Sequence, residues 1–347
     1  FLTGFGTIGM VTVAMVYMAE MLPSASRGKY QALSIACGTI GIPFGALFAT
    51  LCLNILGETA WRLCFLIGGS GILLLPIGSR WLRESPRWLV MRGRIAEAEK
   101  IVSECTKQPC DLSSLATHCV MEKTMGMGQT LKMMFSKSFI RQTLVVLILS
   151  WGATLGVFYM SNYGVTFMVD LGLAYTVVMV ISASGVIGTP LGDVCVSFFS
   201  DKGGRRIPII IMSCIAGAIC VISGIIYEPM IHYFNASNNM IIPITLAIIG
   251  ILRAAFSGGT MTLMWTYLAE SYPTKIRSNA TGIVFGSARL VAVPITLTVP
   301  ATYYAFGYLG VNVVNGFWYF IPALFALIWG ASSAGKSLEE LEAEFSC

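Results

Sequence analysis

Charge is what this sequence has least of. Only 11% of its 347 residues are Asp, Glu, Lys or Arg, against about 25% in soluble domains, so a water-solvated globule of this length does not fit. Histidine is nearly absent. His118 and His232 are the only two, both expected in loops, and no apolar run carries a mid-membrane pair of acids. Intramembrane metalloprotease or aspartyl chemistry therefore lacks its groups, and no G-x-x-x-x-G-K-[ST] stretch is present for a nucleotide-driven pump. No enzyme, cofactor or metal is expected. A signal peptide is also missing: the chain opens on Phe1 where a Met would stand, which reads as a segment of a longer protein. The ten cysteines say little about redox compartment, because Cys37, Cys195, Cys214 and Cys220 fall inside apolar runs, where a thiol acts as a small hydrophobe.

What is present is apolar. Hydrophobic residues make up 56% of the chain, and the mean hydropathy is +0.76. A membrane-crossing helix needs about 20 apolar residues. Runs bounded by charge place nine spans near 2–22, 31–53, 63–82, 143–169, 175–199, 207–227, 241–269, 279–304 and 312–333. They are continuously apolar rather than alternating, so a β-barrel is a poor fit. With the loop after the first span in the cytoplasm, 19 of the 22 Lys and Arg face that side, Arg62, Arg253 and Arg289 being the others. The net charge of +5 is thus the positive-inside bias of a multi-pass protein and no sign of a nucleic-acid partner. The expected location is the plasma or bacterial inner membrane, with an intracellular vesicle membrane as the alternative.

Between spans three and four lies the one sizeable soluble piece, 80–141, in which Ile95-Ala-Glu97-Ala-Glu99-Lys100 reads as a short amphipathic helix. Cys105, Cys110, His118 and Cys119 match no zinc spacing and read as plain loop residues. The outer loop after span six holds a glycosylation sequon, Asn235-Ala236-Ser237.

The chain repeats itself. Tyr17-Met-Ala19-Glu20-x-x-Pro23-Ser24-x-x-Arg27 recurs 250 residues later as Tyr267-Leu-Ala269-Glu270-x-x-Pro273-Thr274-x-x-Arg277, each copy ending a span at the cytoplasmic side. Pro43 and Pro294 follow at nearly the same offset. Spans one to three therefore pair with spans seven to nine, leaving four to six without partners. The expectation is an all-α membrane protein of twelve spans in two parallel six-helix repeats, this chain keeping the last nine. It divides into 1–82, the last helices of the N-terminal bundle; 83–141, the inter-bundle loop; 142–334, the C-terminal bundle; and 335–347, a cytoplasmic tail.

Asp201-Lys202-Gly203-Gly204-Arg205-Arg206 after the fifth span resembles the cytoplasmic signature of the major facilitator superfamily. Glu84-Ser85-Pro86-Arg87-Trp88-Leu89 is similar to the end-of-sixth-helix motif of its sugar porters and organic-ion transporters, and the paired Glu-x-x-Pro-x-x-x-Arg motifs belong with them. Ser197 departs from the usual Gly, and the C-terminal motif is reduced to Gly335-Lys336-Ser337-Leu338-Glu339-Glu340. The resemblance implies the major facilitator fold and a secondary transporter working by alternating access on a small organic solute, coupled to a proton or another cation. Sugar porters usually carry Gln-Gln in their seventh helix. Here that helix has Trp151, Phe158, Tyr159, Asn162, Tyr163 and Gly164 and no Gln. Arg253 to Gly259, Tyr272-Pro273-Thr274 and Ala288-Arg289 resemble the niacin, organic-ion and synaptic-vesicle-related branch. An organic ion or metabolite is therefore the leading substrate class. A sugar, or ligand binding without transport, is the alternative.

The charged motifs suggest cytoplasmic latches: Asp201 with Arg205 and Arg206, Glu20 with Arg27, Glu84 with Arg87, and Glu270 with Arg277, partly across the two halves. Arg253 and Arg289 lie inside spans, where an ionised group costs about 2.5–3.5 kcal/mol and usually faces a cavity. Arg289 is the first candidate for an anionic substrate group and Arg253, on a stripe with Ser257, the second. Trp151, Phe158 and Asn162 share one face, flanked by Tyr159 and Tyr163, a surface that would stack on an aromatic ring. Asp193, Glu20 and Glu270 are the candidate coupling acids.

Overall fold

The computed structural model describes residues 2–23, 26–107, 112, 125–200, 205–237 and 239–329; the tail and the Asp201–Gly204 loop lie outside them. All regular structure described is helical. The first half comprises α1 (Leu2–Met21), α2 (Arg27–Thr39), α3 (Gly41–Leu56), α4 (Ala60–Gly69) and α5 (Leu75–Trp81). The cytoplasmic connection holds α6 (Pro86–Met91), α7 (Ile95–Thr106) and α8 (Met127–Met134). The second half follows with α9 (Ile140–Ser161), α10 (Gly164–Asp170), α11 (Tyr175–Val186), α12 (Gly188–Phe199), α13 (Arg206–Ser237), α14 (Ile241–Glu270), α15 (Thr274–Leu297) and α16 (Val299–Trp329).

Among the described residues, eight stretches are long and apolar enough to cross a membrane, and α1 adds a shorter apolar helix over Gly9–Met21. Each stretch answers to one of the nine expected spans, and several are broken within. Span two breaks at Ile40 between α2 and α3, where Gly38, Gly41 and Pro43 cluster. Span five breaks at Ile187, between Gly185, Gly188 and Pro190. Span three passes through a 3₁₀ stretch, Ser70–Leu74, after Gly68 and Gly69. Glycine and proline weaken the helical ladder, so the breaks fall where they gather.

Three expectations need correction. The outer loop after span six is helical: α13 runs to Ser237 through Pro229, so His232 and Asn235 sit on a helix and not in a loop. Arg62 lies in the first turn of α4 instead of an outside loop. The turn before the last crossing is set by Gly307, whose φ of 66° ends one helical piece and starts the next.

In the second half α13 packs on α16, α9 on α16 and α15, and α12 on α14. The α12–α14 seam is made of small residues. A Cβ added at Gly188 would overlap the Ile251 carbonyl oxygen, and one at Gly192 that of Ala255. Gly258 and Gly259 answer from α14 against Thr189, Val196 and Met212. Close backbone approach of this kind replaces the hydrophobic drive that lipid cannot provide. The first half reaches the second through α2 on α12 and α14, and α1 on α14 and α15. Large apolar side chains such as Phe44, Leu51, Phe65 and Leu74, from α3 through α5, are exposed.

Gly192→Leu is expected to lower the melting temperature in detergent, overpacking costing about 1–3 kcal/mol. Gly282→Ala, where a Cβ meets nothing within 4 Å, should melt no lower than the parent. Equal melting of the two variants would contradict this account of the seam.

Candidate functional site

Two layers of polar contact join the halves, and a third group of side chains lies between α9 and α15. The first layer is at the cytoplasmic helix ends. Pro23 and Pro273 follow α1 and α14, so Glu20 and Glu270 occupy the last turns of those helices, while Arg27 and Arg277 open the helices that follow. The pairing is not the one expected within each motif. Glu20 accepts from Nη1 of Arg277 at 3.4 Å, and Glu270 lies 3.6 Å from Nη1 of Arg27. Each acid meets the arginine of the other half. The reason is the repeat itself: two copies of one motif facing each other across a pseudo-two-fold axis bring unlike members together, whereas each arginine starts a helix that leads away from its own acid.

Glu270 is also held in a fork by Arg205, at 3.1 Å from Nε and 2.8 Å from Nη2. Arg205 further donates to the Ser200 carbonyl at 2.6 Å, and Arg277 to that of Tyr272 at 3.1 Å. The Ser85 hydroxyl donates to Glu20 at 2.6 Å. Arg27, Arg205, Arg277 and Glu270 are all buried, so the network is shielded from solvent screening. Among the described residues Arg206 pairs with no acid; it donates to the carbonyls of Ala326 and Leu327, at the end of α16. Asp201 lies outside the described residues, as do Cys110, His118, Cys119 and the side chain of Arg87; Glu84 is exposed.

The second layer is a single carboxylate. Asp193 on α12 is buried. It accepts from the Thr262 hydroxyl of α14 at 2.5 Å and from the Thr39 hydroxyl of α2, in the other half, at 2.7 Å.

Of the residues expected to meet substrate, the structure gathers three. Arg289 lies over the Phe158 ring, 4.2 Å from its centroid. One helical repeat away, Trp151 donates from Nε1 to the Ser287 hydroxyl at 3.0 Å. Both contacts join the same face of α9 to α15. Trp265 of α14, packed edge-on against Phe285 at 6.1 Å, has a buried indole N–H with no hydrogen-bond partner among the described residues. Sequence reasoning missed Trp265, since one tryptophan in an apolar helix carries no periodic signal. It missed Thr39 and Thr262 for the same reason.

The other members go elsewhere. Arg253 turns to α16, donating to Asn312 at 3.3 Å. Asn315, with its amide oriented to satisfy both neighbours, accepts from Arg253 at 2.5 Å and donates to the Gly156 carbonyl at 3.0 Å. Ser257 donates to the carbonyl of Ala254. Tyr159 is buried against α16, its hydroxyl 3.3 Å from that of Thr302. Tyr163 stacks on Phe167, which stacks on Tyr303 at 4.0 Å. Asn162 is exposed at the end of α9.

Comparison with known proteins places this geometry. Residues 1–345 match the family model described as sugar (and other) transporter. A putative metabolite transport protein of Bacillus subtilis, YyaJ, is 25% identical over 97% of this chain and 72% of its own length. The inner membrane metabolite transport protein YdjE of Escherichia coli is 25% identical over 98% of this chain and 73% of its own. The solved structure of XylE, a proton:xylose symporter of the major facilitator superfamily bound to 6-bromo-6-deoxy-D-glucose, superposes with a TM-score of 0.72 at 21% identity, covering 96% of this chain and 70% of that one. With this fold and a family match along nearly its whole length, the chain belongs to the sugar (and other) transporter family and is a multi-pass membrane protein with the major facilitator fold.

Proposed function

We propose that this protein is a secondary carrier that moves a small organic metabolite by alternating access, with the cytoplasmic ion-pair layer as its inner gate and a proton as its coupling ion. The observation that carries the reading is the exchange of partners between halves: Glu20 with Arg277, and Arg27 with Glu270. A gate must hold in one state and part in another. Ion pairs between rigid bodies suit this because their attraction is largely offset by the desolvation they require. A purely structural bond would serve as well inside one half, and here the acids pass over their own motif's arginines. Arg205, braced on Ser200, keeps Glu270 oriented toward Arg27.

Arg289, Phe158 and Trp151 form the proposed substrate contact. No carboxylate lies within ion-pair reach of Arg289 among the described residues, and Phe158 covers only one side of the guanidinium, so the cation is available to an anionic solute. Arg253 is the weaker candidate, since Asn312 and Asn315 already use its donors. A second reading has equal standing. The unpartnered indole N–H of Trp265 would serve a sugar hydroxyl, and both the family description and the xylose symporter neighbour favour a sugar.

Two measurements test these proposals. Glu270→Gln leaves two guanidinium groups facing an uncharged amide, and breaking a buried pair costs about 3–5 kcal/mol. The variant should melt several degrees lower and open its cytoplasmic side to thiol reagents, whereas Glu84→Gln should do neither. Unchanged melting and labelling of Glu270→Gln would sink the gate.

For the substrate, purified protein in liposomes is offered labelled nicotinate, benzoate, D-xylose and D-glucose. A guanidinium–carboxylate hydrogen bond contributes about 1.5–3 kcal/mol. Arg289→Gln should therefore weaken binding of a carboxylate tenfold or more and leave a sugar's affinity unchanged. Equal loss for both classes, or for neither, would remove Arg289 from substrate recognition.

A further inference from the structure

Asp193 is the least accounted-for charge in the molecule. It sits inside a span, six residues before the end of α12, and Thr262 lies eight residues before Glu270 on α14. At 1.5 Å per helical residue, this places the carboxylate about 12 Å from the ion-pair layer. Two hydroxyls are its hydrogen-bond partners, Thr262 in its own half and Thr39 in the other.

The charged and titratable groups on the packed elements are engaged elsewhere or turned away. On α2, Arg27 goes to Glu270, while Lys29, Tyr30 and Cys37 are exposed. On α14, Arg253 goes to Asn312, Tyr267 accepts from Gln142, and Glu270 belongs to the ion-pair layer. On α11, Tyr175 is exposed, and on α12 itself Cys195 is exposed. Gly188 and Gly192, which precede Asp193 on α12, close against the backbone of α14, so the acid is carried on a tightly packed seam.

Two features make this carboxyl more than a static contact. The Thr39 hydroxyl lies 2.7 Å from Oδ2 of Asp193 and also 3.1 Å from the Ala36 carbonyl oxygen. Its single proton serves an ionised Asp193. When that proton turns to Ala36, Thr39 becomes an acceptor for a protonated Asp193. The site thus accommodates both protonation states, with the stronger, charge-assisted bond in the ionised one. The contact also joins two helix breaks: Thr39 is the last residue of α2, beside Ile40, and Asp193 follows the break at Ile187. Breaks at such positions take up backbone change when rigid pieces move.

We infer that Asp193 is the proton-carrying group of the carrier, its ionised form binding Thr39 of the opposite half through the stronger, charge-assisted bond and its protonated form through a weaker one that lets the contact part. This inference rests on the carrier reading above. The proton moves between bulk water and Oδ2 of Asp193, with no other bond made or broken.

Amide exchange on the chain in lipid nanodiscs, without substrate, tests the switch. After correction for intrinsic rates, the segments around Ile40 and Ile187 should exchange faster in acid than in alkaline buffer in the parent. Asp193→Asn should exchange fast in both, Asp193→Glu should restore the dependence, and Thr39→Val should abolish the slow state while leaving the carboxyl in place. A parent with no dependence, or an Asp193→Asn variant that keeps it, overturns the inference.

Liposome transport gives the second arm, with labelled D-xylose and nicotinate as probes. Asp193→Asn should lose accumulation driven by a pH gradient and retain equilibrium exchange. Accumulation by that variant equal to the parent's, or accumulation driven by a sodium gradient and by no pH gradient, also overturns it. If the parent moves neither probe in either mode, the carrier reading fails for these solutes, and the amide-exchange arm alone decides on Asp193.

Discussion

A charge kept from water must find a partner, and in this protein each of the two latch acids finds one in the opposite half of the molecule. Glu270 faces Arg27 and Arg205, and Glu20 faces Arg277. Without the first half, Glu270 would keep Arg205 and lose Arg27, and Arg277 would lose Glu20. The halves are thereby bound into one body while remaining able to separate, because the attraction and the desolvation nearly balance. The Asp193 contact with Thr39 and the packing of α1 and α2 against α12, α14 and α15 also join them.

Depth organises the polar groups. The ion pairs lie at the helix ends, where loops and carbonyls such as Ser200 and Tyr272 can brace them. Asp193 is deeper and has only hydroxyls. Farther along α14 and α15, Arg253 and Arg289 have no acid among the described residues, and differ in what replaces it. Two carboxamides hold Arg253 inside the second half. Arg289 has an aromatic face on one side. The proposed division of labour follows from this difference: cohesion within a bundle for Arg253, solute contact for Arg289.

Much of the architecture was legible before the structure was seen. Hydropathy located the crossings, since a spanning helix must be apolar over its whole length. Gly38, Gly41 and Pro43, and Gly185, Gly188 and Pro190, mark the breaks at Ile40 and Ile187, but hydropathy alone counts each span as continuous. The repeat identified the acids and arginines of the latch, and a network partly across the halves, but not which acid meets which arginine, because spacing along a chain says nothing about which copy faces which. Arg289 could be singled out as a charge within a span, and Trp151 and Phe158 as one face of a helix, though the meeting of their helices could not be foreseen. Thr39 and Thr262 could not: a lone threonine in an apolar helix usually bonds to its own backbone, and only tertiary contact gives it a carboxylate.

The central claim is that the two halves exchange ion-pair partners and that this exchange gates transport. Charge reversal tests it most directly, by comparing Glu20→Arg, Arg277→Glu and the two together for uptake in liposomes at matched incorporation. Each single reversal sets like charges face to face and should abolish uptake, and the double reversal, which restores the pair with its polarity inverted, should recover a substantial part of it. A double variant as inactive as the singles, or single reversals with the parent's uptake, would contradict the account.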